Sequence, residues 1–264
     1  MSADARITMP ACSIQTRAVR LFDRLYPPVL AGLLLLATWE FVIWWFKLPN
    51  FVLPSPAEIL VAAANDPQNL LHDTITTIGE ALGGYIAGSL LGLTVAIVFV
   101  AAPIMERLFM PLYVTINSVP MVAYGPLAII WLGIGSFSKI ALILFSVSYT
   151  VLINALAGLR SCDPAAIALL RTFGAGRWTI LLKLRIPAAL PWIFNGLRVA
   201  VVHSMILAIV LEMLGANAGL GWSIFKSTQM MNFVEAWVAV GMSVIVSLII
   251  YSIVTRISRW AVWW

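Results

Sequence analysis

DPAAIALLRTFGAGRWTILLKLRIPAALP, residues 163–191, is a basic stretch within a chain that is otherwise too apolar to remain in water. Asp163 is a favourable helix N-cap and Pro164 a favourable first helical residue, so a helix is predicted through Ala165 to Phe173. An ordinary basic loop that follows the charge bias of membrane topology would have a similar composition. Composition alone therefore leaves both interpretations open.

The second half of the stretch contains both glycines and prolines. Gly174 and Gly176 predict the end of the first helix. A second short helix is expected from Arg177 to about Arg185, ending before Pro187 and Pro191, where the chain enters the next apolar segment. The pattern predicts two short helices joined by a glycine turn.

The composition predicts a polytopic membrane protein. Hydrophobic residues make up 62% of the chain, charged residues 10%, and the mean hydropathy is +0.99, well outside the range of soluble domains. The sequence pI near 9.5 would suit a nucleic-acid-binding protein or a membrane protein whose basic residues mark one face. The two cysteines, Cys12 and Cys162, lie in segments expected to face the cytoplasm, which indicates free thiols.

A membrane-spanning helix needs roughly 20 mostly apolar residues, and six such segments are present. We therefore expect an all-α fold with six transmembrane helices, preceded by a cytoplasmic tail at residues 1–28, and a transmembrane domain at residues 29–264. The six predicted spans are Val29–Phe46, Thr77–Ala101, Phe109–Leu132, Ser138–Leu159, Leu190–Leu214 and Ala236–Ile257.

The distribution of basic residues predicts the orientation. Of the 16 Lys and Arg residues, most lie in the two termini, in the 102–107 turn and in the 160–189 loop, whereas the opposite loops contain only Lys47, Lys139 and Lys226. The positive-inside rule places both termini and the 160–189 loop in the cytoplasm. The basic pI is thereby explained by topology, and no nucleic-acid partner is expected.

Two helices have unusual interiors. Gly84, Gly88 and Gly92 line one face of the second span, where another helix could approach closely, either as static packing or as a seam that slides during gating. Pro120 and Pro126 interrupt the third span, and broken helices at membrane depth are tolerated where the freed backbone lines a cavity or packs against protein. The third span is therefore the best candidate for lining a pathway.

Polar side chains inside the spans are candidates for substrate contact. The ionisable ones are Glu40, Glu80, Arg198, His203 and Glu212, which are functional candidates by default; Glu80 and Glu212 are expected near the outer interface, where water is available. Uncharged groups at cavity depth complete the set. The predicted pathway residues are Asn117, Ser118, Tyr124, Asn154 and Glu212.

No catalytic or metal site is expected. His203 and Glu212 lie nine residues apart, which puts them on opposite faces of one helix. The segment GANAGLGWS at Gly215–Ser223 lacks the lysine of a phosphate-binding loop. It is expected to form a turn outside the cell and a short interfacial segment, continuing through Ile224 to Phe233, that could meet an extracytoplasmic binding protein.

The 163–191 stretch resembles the signature loop of permease subunits of binding-protein-dependent ABC importers, in which EAA is followed by a glycine and, about a dozen residues later, a proline. Gly174 matches the signature glycine and Pro187 the signature proline, whereas Ala168 stands where the family usually has glutamate. Further matches to one subfamily are Arg171, Ala175, Arg177, Trp178, Pro191, Gly196, Leu197 and Arg198.

The resemblance extends over about residues 48–260 and indicates the nitrate, sulfonate, taurine and bicarbonate subfamily, which also includes thiamine-precursor permeases. LPSP at Leu53–Pro56 resembles its pattern after the first helix. The residues that resemble the subfamily's third-helix pattern are Pro120, Ala123, Pro126, Leu127, Trp131, Gly133, Gly135 and Lys139. Those that resemble its motif after the fifth helix are Glu212, Leu214, Gly215, Gly219, Leu220 and Gly221.

This resemblance implies a type I ABC importer permease in the bacterial inner membrane that works with a second permease copy or paralogue. The 160–189 loop would couple to two cytoplasmic ATPases, which would bind the ATP and Mg, and this chain would bind no cofactor. The coupling residues carried over are Asp163, Ala168, Arg171, Gly174, Ala175, Arg177, Trp178 and Pro187.

The substrate stays open at the level of sequence. The resemblance implies a small nutrient such as nitrate or a sulfonate, with a thiamine precursor or another heterocycle as the alternative. A different class, a gradient-driven secondary transporter, would be expected to show an inverted repeat. None is visible between residues 29–132 and 138–257.

Overall fold

The computed structural model describes the backbone of residues 15–261 and the side chains of residues 26, 27 and 30–261. All regular elements in these residues are helical, which confirms the predicted all-α class. A π-helical turn occupies Leu181–Arg185. The helices are α1 Gln15–Phe46, α2 Pro56–Asn65, α3 Pro67–Ala101, α4 Pro103–Ser118, α5 Met121–Leu132, α6 Ser136–Arg160, α7 Pro164–Thr172, α8 Arg177–Ile180, α9 Ile186–Gly215, α10 Leu220–Gln229 and α11 Phe233–Ala261.

The chain divides into two compact units, Met1–Glu58 and Ile59–Trp264. In the described part of the first unit, the segment after α1 is held by polar contacts. Trp39 Nε1 donates to the Pro54 carbonyl over 3.2 Å. Ser55 and Glu58 form a reciprocal capping box, with N–H to side-chain distances of 3.1 and 3.2 Å, which explains why α2 begins at this point.

Four helices of the described residues are long and apolar enough to cross a membrane, and the pair α4 and α5 makes a fifth span if it is counted as one. The expected first span, Val29–Phe46, corresponds to the apolar part of α1, Leu30–Phe46, which is shorter than these four. The second span begins earlier than expected, at Pro67 rather than Thr77, because Asp66 caps α3 by accepting from Asn69 N–H and Pro67 suits the first helical position.

The third predicted span, Phe109–Leu132, is not one helix. α4 ends at Ser118 and α5 begins at Met121, with a bend of 99° between them. The break lies at Pro120, as predicted, because a residue before proline disfavours helical dihedrals; Val119 is extended, with φ −80° and ψ 124°. Pro126 lies inside α5 without ending it.

The predicted helix end before Pro187 is wrong. Arg177–Gly215 forms one continuous helical span through Pro187 and Pro191. The π-helical turn accounts for this, because there the Ile186 N–H reaches the Leu181 carbonyl, five residues back. The wider turn relieves the clash that a proline ring makes with the preceding turn of an α-helix.

α3 packs against α6 along its glycines. A Cβ added at Gly88 would lie 2.6 Å from the Leu144 carbonyl oxygen and 2.9 Å from Val147 Cβ. Gly84 and Gly92 meet α6 in the same way. Since lipid provides no hydrophobic driving force between helices, such close backbone approach is a main source of their cohesion. The glycine face is therefore a packing seam between α3 and α6.

A buried ion pair joins the same two helices beyond the glycines. Lys139 Nζ of α6 lies 2.9 Å from Glu80 Oε1 of α3, and the two side chains are 4% and 2% exposed. The pair is needed because a lone charge buried at this depth would cost several kcal/mol. Glu80 Oε2 has no hydrogen-bond partner among the described residues.

We predict that Gly88→Ala destabilises the protein by about 1–3 kcal/mol, because the added methyl group collides with the α6 backbone. The matched control is Gly79→Ala, also on α3, where an added Cβ meets nothing within 4 Å and helix propensity favours alanine by about 1 kcal/mol. Thermal unfolding in detergent measures both. Equal melting temperatures for the two variants would contradict the seam.

We predict that Lys139→Met lowers stability by about 3–5 kcal/mol, since Glu80 is left buried without its partner. The double variant Lys139→Met, Glu80→Leu removes both charges and should regain most of that loss. Denaturant unfolding of the two single variants and the double variant gives the coupling between the sites. Additive losses would show that the two side chains do not act as a pair.

Candidate functional site

The loop between α6 and α9 forms the short helices that the sequence predicts. Asp163 Oδ1 accepts a hydrogen bond from Ala165 N–H over 2.9 Å, and Pro164 is the first residue of α7. α7 ends at Thr172, and Gly174 follows with a φ of +78°. Glycine adopts that left-handed conformation readily, whereas a side chain is strained there. The turn therefore depends on glycine at position 174.

Large apolar side chains project from this loop. Leu169 is 58% exposed, Phe173 78% and Trp178 64%. Ala168, which stands where the family usually has glutamate, is also exposed. Exposed apolar groups clustered on a polar loop mark a protein-binding surface more often than a free one.

Three arginines line a cleft beside the loop. Arg171, Arg177 and Arg185 border a cavity of about 410 Å³, whose other walls include Trp178, the end of α3 at Val100 and the start of α4 at Pro103. None of the three has a carboxylate within ion-pair distance in the described part of the chain. Their charges are available to a partner, so the cleft adds a cationic element to the exposed apolar surface.

The predicted pathway residues are spread over four helices, α4, α5, α6 and α9. Asn117 Nδ2 donates to the Tyr113 carbonyl over 3.0 Å, and Ser118 Oγ to the Val114 carbonyl over 2.7 Å, both within α4. Tyr124 of α5 packs against the central apolar cluster. None of the five residues lines the cavity that borders Arg171, Arg177 and Arg185.

Asn154 lies in the last two turns of α6. Its Nδ2 donates to the Thr150 carbonyl over 2.9 Å, and its Oδ1 is 3.4 Å from Asn195 Nδ2 of α9. Arg198, further along α9, donates from Nε to Ser258 Oγ of α11 over 2.9 Å. Its polar partner is thus a hydroxyl, and no carboxylate lies within ion-pair distance of it among the described residues.

Glu212 lies in a different setting from the one expected. It is 0% exposed and Glu80 is 2% exposed, so the expectation that water hydrates them is wrong. Glu212 Oε1 accepts from Thr77 Oγ1 over 2.7 Å, and Oε2 from Gly221 N–H over 2.7 Å. The carboxylate is thus bonded within the protein and joins α9, α3 and the start of α10.

The beginning of α10 is held by α3 as well. Gly219, at φ +112°, donates its N–H to Asp73 Oδ1 over 3.0 Å, and Leu220 donates to Thr77 Oγ1 over 2.9 Å. Ser223 Oγ also bonds Asp73. Three successive backbone N–H groups at the start of α10, those of residues 219–221, therefore donate hydrogen bonds to side chains of α3 and α9. We call this set of contacts, from Asp73, Thr77 and Glu212 to residues 219–223, the α10 junction.

Asp73 and Thr77 of this junction are not among the site residues predicted from the sequence. The sequence contains a signal for them, because Asp73, Thr77 and Glu80 are spaced by four and three residues and continue the stripe of Gly84 and Gly88 on one helix face.

No three His, Cys, Asp or Glu residues in the described part of the chain lie close enough to hold a metal ion.

Three relatives are similar to this chain over most of its length. A probable ABC transporter permease protein of Haemophilus influenzae is 31% identical over 86% of this chain and 93% of its own. The formylaminopyrimidine transport permease protein ThiX of Halalkalibacterium halodurans is 30% identical over 78% and 82%. The taurine transport system permease protein TauC of Escherichia coli is 29% identical over 69% and 70%.

The fold is shared with solved transporters. A chain of the MetNI methionine ABC transporter in inward-facing conformations superimposes with a TM-score of 0.60 at 18% identity, covering 74% of this chain and 94% of that one. Residues 74–262 match the family model described as binding-protein-dependent transport system inner membrane component. This chain therefore belongs to that family of ABC importer permeases, the membrane components of binding-protein-dependent transport systems, which are not catalytic themselves.

Proposed function

We propose that this chain forms the translocation pathway of an ATP-driven importer and receives force from a separate ATPase through the α7–α8 loop. The observation that carries this proposal is the exposed surface of that loop, where Leu169, Phe173 and Trp178 project beside the three-arginine cleft. Apolar anchors surrounded by polar groups are the usual composition of a protein interface. The loop needs shape and rigidity rather than catalytic groups.

The path from the loop into the membrane supports transmission by a rigid body. Arg177–Gly215 is one helical span, so a push on α8 acts directly along α9. At the far end of α9, Glu212 bonds α3 and α10. The α10 junction thus connects the loop to the opposite end of the bundle without a flexible linker, as rigid-body switching requires.

The complete importer would contain two permease chains, either two copies or this chain with a paralogue, and two ATPases. ATP and Mg would bind the ATPases, and no cofactor would bind this chain. The charge bias of the sequence places α7, α8 and both termini in the cytoplasm, with α10 outside, where an extracytoplasmic binding protein would deliver substrate. The membrane would be the bacterial inner membrane.

Two substrate chemistries are compatible with this assembly. A small anion such as nitrate, a sulfonate or taurine would fit a chain similar to TauC, and a heterocyclic thiamine precursor would fit one similar to ThiX. A gradient-driven carrier is the candidate from another class. It would transport its substrate as this chain alone, whereas the proposed importer needs ATP and its partners.

We predict that Gly174→Val strongly reduces ATP-dependent uptake of the substrate. A β-branched residue at a φ of +78° is strained by about 1–2 kcal/mol and would displace α7 from α8. Gly176→Val is the matched control, since Gly176 has a φ of −71° and an added Cβ meets open space. Uptake into proteoliposomes containing the permease, the ATPase and the binding protein measures the effect.

The same experiment separates coupling from folding. Gly174→Val should remain inserted and monodisperse in detergent, yet it should retain less ATPase on co-purification than Gly176→Val does. Full uptake by Gly174→Val would contradict the coupling role of the loop. Uptake by the permease alone, driven by an ion gradient without ATPase, would establish the secondary-transporter alternative instead.

A further inference from the structure

Three aromatic rings stack between α4 and α6. The ring of Tyr113 lies 5.6 Å from that of Phe145 with an angle of 15° between their planes, and 6.5 Å from that of Tyr149 with an angle of 17°. Phe145 and Tyr149 are one helical turn apart, so both reach the same neighbour. All three side chains are half-buried. We call Tyr113, Phe145 and Tyr149 the aromatic stack.

The aromatic stack lies deep in the membrane part. Phe145 and Tyr149 occupy the middle of α6, and Tyr113 is about 15 Å along α4 from Pro103 at the usual helical rise. The Tyr149 hydroxyl has no hydrogen-bond partner among the described residues, and the Tyr113 hydroxyl has only a 3.5 Å contact with Ser148 Oγ. Polar groups left open at this depth are costly against lipid, so they indicate a surface that faces a pathway or a ligand.

The surroundings of the aromatic stack are uncharged. The charged residues of α4 and α6 are confined to the ends of these helices, at Glu106, Arg107, Lys139 and Arg160. Lys139 is bonded to Glu80. An anion moving past the middle of these helices would find no cation on either of them, and desolvating an unpaired anion is expensive.

Uncharged hydrogen-bonding groups extend the aromatic stack. Asn117 follows Tyr113 by one turn of α4, and its Oδ1 accepts no hydrogen bond from the described residues. Together with the Tyr113 and Tyr149 hydroxyls it offers donors and acceptors at the edge of the rings. Parallel rings with polar groups at their edge match a flat molecule that has a π-face and a hydrogen-bonding edge.

We propose that the aromatic stack is a substrate-contact site and that the transported molecule is a planar, uncharged heteroaromatic nutrient rather than a sulfonate or nitrate. The substrate ring packs against Tyr149 or Tyr113, and its polar edge bonds their hydroxyls and Asn117. Ring stacking contributes at the scale of other aromatic pairs. Because this assignment rests on the proposed import function, its test requires the complete importer.

The first measurement identifies the ligand that the partner binding protein carries when it is purified from its native host. Mass spectrometry is expected to find a planar heteroaromatic compound. A sulfonate, taurine, nitrate or any aliphatic ligand would overturn the assignment. Absence of ATP-dependent uptake of that ligand by the wild-type importer would instead refute the proposed import function.

The second measurement locates the site. Uptake of the identified ligand into proteoliposomes is expected to fall about tenfold in Tyr149→Leu and Tyr113→Leu, while ATP hydrolysis stimulated by the loaded binding protein continues. Tyr149→Phe, which keeps the ring but loses the hydroxyl, should fall by only about threefold, between wild type and Tyr149→Leu. Phe137→Leu removes an exposed ring at the end of α6 and should have no effect.

The outcomes distinguish a contact site from packing. Uptake lost without loss of stimulated ATP hydrolysis supports direct contact with the substrate. Parallel loss of uptake and hydrolysis in the Leu variants would mean that the aromatic stack only holds α4 against α6, and would overturn the proposal. Loss of uptake in Arg198→Gln with normal uptake in Tyr149→Leu would also overturn it, since that pattern is expected for an anionic substrate held by the α9 guanidinium.

Discussion

The contact between α3 and α6 holds the helix bundle together, because Gly84, Gly88 and Gly92 bring two helix backbones close to each other. In a bilayer, apolar side chains gain little by leaving lipid for protein, so close packing and internal polar bonds must supply the cohesion. The Glu80–Lys139 pair adds such a bond at one end of the seam. Neither helix can shift along the other without moving a buried charge away from its partner.

The α10 junction extends this rigid part to α9 and α10. Glu212 and Thr77 meet in the interior, and the backbone of α10 closes the set. α4 is less firmly held than these helices, because none of its residues is buried. Its contact with α6 includes the aromatic stack. The chain thus combines a firmly bonded block of α3, α6, α9 and α10 with one helix whose surface is open to a substrate or a second permease chain. This arrangement is compatible with a transporter in which the block of α3, α6, α9 and α10 moves as a rigid body.

Much of this architecture follows from local sequence. As the sequence predicts, Asp163 caps α7, Gly174 forms the turn after it, and Pro120 separates α4 from α5. These effects are predictable because each depends on neighbouring residues alone. The helix end before Pro187 was mispredicted because a π-helical turn depends on the packing of the whole segment. The burial of Glu80 and Glu212 also escaped sequence reasoning, since hydropathy gives depth along a helix but not the neighbours across it. The aromatic stack was invisible for the same reason, as its rings come from two helices.

In the proposed importer, force received at α7 moves the block of α3, α6, α9 and α10 without deforming it. Distances between spin labels at Ala165→Cys on α7 and Gln229→Cys on α10, with Cys12 and Cys162 replaced by Ala, test it in the complete importer with and without bound ATP. Both label positions are exposed. An unchanged distance within one chain, while the distance between the α7 helices of the two permease chains changes, is the expected result. A change in the distance within one chain would contradict rigid-body transmission.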